Sequence, residues 1–164
     1  MVMFDKLQRK QELIEGSTYD FLIDFCRNER VQDVNRNLDK TKHPRPYHEI
    51  RGIVESFYGK RIAKRIADIN ILNLTGCVDP HEDSHFIDHG RMQNKAIFFV
   101  LIEQQISEWH PDSLTSIYFF HDGEFDQISQ YTKTGSVVAI PFNAADTHAL
   151  MTEIPVLGFC VWFK

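Results

Sequence analysis

With 164 residues, 43% of them hydrophobic and 25% charged, the sequence has the composition of one folded domain, and wholesale disorder is excluded. Its formal net charge of −5 argues against a general nucleic-acid surface, because phosphate binding rests on Lys and Arg. Cys26, Cys77 and Cys160 lie far apart with no C-x-x-C among them, which excludes a zinc ribbon or a dithiol redox motif and fits reduced thiols in a cytoplasmic protein. The N-terminal residues lack the apolar stretch of a signal peptide, and no run approaches the length of a membrane span. A soluble cytoplasmic chain is the expectation.

In chain order, residues 4–15 carry Phe4, Leu7, Leu13 and Ile14 in a weak helical pattern that stops at Gly16. Ser17 caps a second predicted helix with Phe21, Leu22, Phe25 and Cys26 on its apolar face. A polar stretch follows, in which Val31, Val34 and Leu38 outline a thin helical stripe. His43-Pro44-Arg45-Pro46 reads as a loop, since proline disfavours helical geometry in the residue before it. Tyr47 to Ala67 returns to helix, with Gly59 marking a break. Lys60-Arg61 and Lys64-Arg65 form a local basic patch there, read as a solvated helix face.

From Asp68 onward the pattern is that of short strands. Ile69 to Leu74 alternates broadly, and Ala96 to Ile102 is an unbroken apolar run whose β-branched and aromatic content favours a buried strand. Ser116 to Phe120 and Phe125 to Tyr131 flank His121-Asp122-Gly123 as a hairpin. Ser136 to Ile140 is expected to stop at Pro141, and a short piece around His148 to Met151 precedes the closing run Val156 to Phe163. Helices in 1–67 followed by seven or eight strands in 68–164 predict an α+β arrangement: a jelly-roll core backed by N-terminal helices, within a single domain.

The chemistry concentrates at Asp79-Pro80-His81-Glu82-Asp83-Ser84-His85-Phe86-Ile87-Asp88-His89-Gly90. His81 and Asp83 form an H-x-D pair directly after a predicted strand. Imidazole with carboxylate suits a borderline divalent metal, and one further His completes the facial triad of non-haem Fe(II) sites. Strand alternation turns Glu82 away from a metal bound by its neighbours. His85, Asp88 and His89 read as solvated loop residues. For the distal ligand, His110 and His121 fall in a loop and a turn. His148 lies between two predicted strands, where a jelly roll brings distant residues to one mouth.

On these residues the chain resembles the Fe(II)- and 2-oxoglutarate-dependent dioxygenases, and within them the prolyl 4-hydroxylase-like branch. Gly76 to Asp83 is similar to that branch's "PHxD" segment. Gly135 to Pro141, then His148, then a terminal apolar strand is similar to its glycine-led strand and distal histidine. The resemblance covers about residues 68 to 163. It implies His81, Asp83 and His148 as iron ligands, 2-oxoglutarate and oxygen in the remaining positions, and hydroxylation of a peptide side chain or small molecule through a ferryl species.

One departure stands out. The family places Arg or Lys on the last strand to bind the far carboxylate of 2-oxoglutarate. Here Val156-Leu157-Gly158-Phe159-Cys160-Val161 contains none. Lys95 resembles the inner-strand lysine of asparaginyl hydroxylases and Jumonji-type enzymes and is the candidate substitute, with Arg91 second and Lys133 a distant third. Two alternatives share the jelly roll: a cupin-like metal protein, into whose first motif His81, His85 and His89 can be forced although its glutamate is missing, and a non-enzymatic binding or structural domain that has lost the cosubstrate.

Overall fold

The computed structural model describes residues 7–28, 38–74, 76–83, 95–103, 116–129, 132–152 and 154–164. Two antiparallel sheets face each other, and helices cover the outer face of one of them. The larger sheet runs β1 (Lys10–Leu13), β7 (Ser136–Asn143), β4 (Lys95–Leu101), β9 (Val156–Phe163), β2 (Ile66–Leu74). The smaller runs β3 (Val78–His81), β8 (His148–Met151), β5 (Ile117–His121), β6 (Glu124–Ile128). Mainly β, two-sheeted and helix-backed, this is the jelly-roll architecture expected.

The apolar run of β4 is explained by burial on both faces. Ile97, Phe99 and Leu101 pack toward the helices, while Ala96, Phe98 and Val100 fill the space between the sheets. On the helix side, α1 (Gly16–Asn28) buries Leu22, Ile23 and Cys26, and α2 (Pro44–Tyr58) buries Ile50, Ile53, Val54 and Phe57 at helical spacing. Phe57 lies 6.0 Å from Phe99 between ring centroids, and Phe99 stacks on Phe159 at 4.8 Å. Aromatic contact thus ties the helix layer to the sheet. No helix among the described residues is long and apolar enough to cross a membrane.

Several local expectations are corrected. Within 4–15, residues 10–13 form strand β1, not helix: Lys10 to Leu13 are all exposed and pair with Ala139 to Ser136 at the sheet's edge. Pro44 and Pro46 lie inside the first turn of α2, where a missing N–H costs no intrahelical bond. The helical stretch does break at Gly59, but a short α3 (Lys60–Ala63) ends it and β2 begins at Ile66. Strand β7 continues through Pro141 to Asn143. Its pairing with β1 ends at Ala139, so Pro141 needs no donor on that side. The helical stripe at Val31 and Val34 lies outside the described residues. The Asp122-Gly123 turn is a two-residue hairpin with φ of 50° and 77°, the primed type that matches strand twist.

At Gly158 strand β9 passes so close to β4 that a Cβ would overlap the Phe99 carbonyl oxygen. Gly158→Ala is therefore expected to destabilise the fold by about 3 kcal/mol or more, the upper range for overpacking, measured by urea denaturation. Stability within 1 kcal/mol of wild type would contradict this close approach.

Candidate metal centre

The site is assembled where β3 meets β8. His81 ends β3 and lies directly across the ladder from His148, which begins β8. Strand β3 is an edge strand, so it tolerates Pro80. Two residues on, the Asp83 N–H donates to the Ala144 carbonyl at 2.8 Å, pinning this segment to the β7–β8 turn. In that turn the Asp146 and Ala145 N–H groups both donate to Asn143, to its carbonyl and side-chain oxygens. Glu82 between the two ligand candidates is exposed and accepts from the Thr147 hydroxyl at 3.4 Å, turned away as alternation requires.

His81, Asp83 and His148 converge, their ligand atoms all within 4.8 Å of one another. Asp83 sits between the two rings, with Oδ1 3.5 Å from His81 Nε2 and Oδ2 3.4 Å from His148 Nε2. Both contacts are longer than a charge-assisted hydrogen bond of about 2.7–2.9 Å. Two ligands each about 2.1 Å from one ion stand roughly 3 Å apart at a right angle, so a small closure completes coordination.

The tautomers agree with that use. His81 Nδ1–H donates to the Asp79 carbonyl and His148 Nδ1–H to the Asp146 carbonyl, each at 2.8 Å. A carbonyl only accepts, so each Nδ1 carries a proton, and in the neutral form of each ring the Nε2 lone pair points to the centre. Two such nitrogens and one carboxylate make a donor set for a cation. The donor set of two imidazoles and one carboxylate fits a borderline divalent ion such as Fe(II). Side-chain exposure is graded, 40% at His81 against 12% at Asp83 and 6% at His148, so the site opens on the His81 side.

A cavity of about 160 Å³ adjoins the triad between the sheets. Its wall includes Asn70, Leu72 and Leu74 of β2, Phe98 of β4, Phe119 of β5, Phe142 of β7, Leu150 of β8, and Cys160 and Trp162 of β9. None of these wall residues was singled out from sequence. The visible signal was Asn70, a polar residue between Ile69 and Ile71. Burial pushes the Cys160 thiol well above its ordinary pKa, with the Asp83 charge adding to the effect, so Cys160 presents a neutral thiol.

No Lys or Arg is among the described residues that line the cavity. Lys95 opens β4 opposite Asn143, near the same rim, but alternation groups it with Ile97 and Phe99 on the helix side. The structure does not bring it into the cavity. Lys133 is exposed before β7, at the end of that strand away from Asn143, and Arg91 lies outside the described residues. On β9 the residues facing the cavity side are Val156, Cys160 and Trp162, and Gly158 between them has no room for a side chain. The described residues fit a metal, and none of those lining the cavity offers a cation to a far carboxylate such as that of 2-oxoglutarate.

His85, Asp88, His89 and His110 also lie outside the described residues. His121 is buried but committed elsewhere: Nδ1 contacts Asp122 at 2.8 Å and Nε2 contacts Asp126, which also pairs with Arg9 at 3.0 Å. Burial alone would raise the Asp126 pKa, but His121 and Arg9 outweigh it and hold it low.

The matching solved structures include the crystal structure of a Pseudomonas putida prolyl-4-hydroxylase, which is similar over 98% of this chain and 94% of that one, with a TM-score of 0.55 and 15% sequence identity. At that identity the likeness is one of fold. No protein-family model and no curated protein matches the sequence. Fold and side chains together define a jelly roll with a candidate His-Asp-His metal centre.

Two outcomes follow from the geometry. Co(II) titration should give one tight site per chain, lost in Asp83→Ala and in His148→Ala; retention in either variant would remove Asp83 or His148 from the ligand set. The site should also be proton-sensitive. Burial works to lower the His148 pKa, but Asp83 and the Asp146 carbonyl outweigh it and raise it. The metal takes the neutral ring, so binding weakens as pH falls through this raised pKa. Affinity at pH 6 should be about tenfold or more below that at pH 8.

Proposed function

We propose that this protein is a mononuclear Fe(II)-dependent oxygenase of the class that uses a 2-oxo acid as cosubstrate, with 2-oxoglutarate the usual member. Its substrate is a peptide side chain or a small molecule. The observation that carries this reading is Asp83 lying between the Nε2 atoms of His81 and His148, with both rings fixed by backbone carbonyls. The prolyl-4-hydroxylase fold likeness supports it.

His81, Asp83 and His148 would hold the metal on one face and leave the other coordination positions open. Bound there, the metal supplies oxygen activation, the chemistry that side chains do not provide. The rest belongs to the chain. Asp83 supplies the negative charge that balances the ion. The Asp79 and Asp146 carbonyls keep the two imidazoles in the ligating tautomer. Phe142, with its ring centroid 5.0 Å from that of His148, and Phe119 shield the buried side of the site from water. The more open His81 side is where substrate would approach.

The test is oxygen uptake by the Fe(II)-loaded protein in the presence of 2-oxo acids. Uptake and CO₂ release should depend on Fe(II) and fall to background in His148→Ala. A protein that binds Fe(II) at the triad yet consumes no oxygen with any 2-oxo acid would leave a metal-binding jelly roll and contradict the oxygenase reading.

A further inference from the structure

We propose that the cavity beside the triad receives a 2-oxo acid with an uncharged, apolar tail in place of dicarboxylic 2-oxoglutarate. The inference rests on the metal site proposed above and adds the identity of the cosubstrate's tail.

The metal end of any 2-oxo acid is the same, a carboxylate and an adjacent keto oxygen that chelate through the open positions. Discrimination therefore falls to the wall that meets the tail. Here the described wall is made mainly by Leu72, Phe98, Leu150, Cys160 and Trp162, with the uncharged amide of Asn70 beside them. No described lining residue carries a positive charge. The last strand cannot supply one: its cavity-side positions are apolar or a neutral thiol, and Gly158 has no room for a Cβ. Lys95 is on the helix-facing side of β4.

A carboxylate buried in such surroundings, with no cation among the described lining residues, is strongly disfavoured, and the metal chelate, common to every 2-oxo acid, does not offset that. An aliphatic tail gains from the same wall, because each buried methylene is favourable. The cavity volume is about 160 Å³. That is room for a short branched tail.

The experiment is calorimetric titration of the full-length, Co(II)-loaded protein with 4-methyl-2-oxopentanoate and, separately, with 2-oxoglutarate. The apolar-tailed acid should bind at least tenfold more tightly, a difference of about 1.4 kcal/mol, and should change tryptophan fluorescence through Trp162 in the wall. Equal or tighter binding of 2-oxoglutarate overturns the proposal, and so does a Co(II)-loaded protein that binds neither acid. Failure to take up Co(II) at all overturns the underlying metal site, which separates the two claims. Leu72 is half-buried on the cavity side of β2 and can accept a long polar side chain. Leu72→Arg should cut the preference for the apolar acid at least fivefold. An unchanged preference in that variant would place the tail elsewhere and overturn the assignment of this wall.

Discussion

The candidate site depends on one short piece of strand pairing, the ladder between Val78–His81 and His148–Met151. It makes two histidines that are far apart in sequence into cross-strand neighbours. The hydrogen bond from the Asp83 N–H to the Ala144 carbonyl then fixes the third side chain between them. Everything larger in the fold serves to hold these two strands still. Strand β8 is anchored on its other side by β5, and β7, held by β4 in the larger sheet, delivers the chain to the turn before His148. A shift of one residue in the β3–β8 register would turn one histidine to the outer face, because side chains alternate along a strand.

The helices contribute at a distance. Their apolar faces meet Ile97, Phe99 and Phe159 on one side of the larger sheet, so the opposite side is free to form the cavity wall. The same division explains why the cavity is so apolar. Strands β4 and β9 are sandwiched between helix layer and sheet, and a central strand of that kind accepts charge on neither face. A cation for a dicarboxylic cosubstrate would have to come from a strand edge or a rim. Among the described residues that line the cavity, none is a Lys or Arg.

Much of this was legible in the sequence, for identifiable reasons. The H-x-D pair was visible because two residues on one side of a strand end are two positions apart. His148 was legible because Gly135 to Pro141 marked a strand entering a loop just before it. Strand β1 was not, because Lys10 to Leu13 are exposed and only pairing with β7 makes them a strand. Residues 44–46 were read as loop since proline's effect depends on position, and the first turn of a helix accepts it. The face that Lys95 takes was not legible for a different reason. An apolar run buried on both faces shows no alternation, so the face of its first residue is invisible until the partner layers are known.

The central claim is that Fe(II) sits among His81, Asp83 and His148. X-ray absorption at the iron edge of the Fe(II)-loaded protein tests it most directly. The account predicts nitrogen and oxygen neighbours at about 2.1 Å with the outer-shell scattering of two imidazole rings. A spectrum without imidazole scattering, or with sulfur in the first shell, would contradict it.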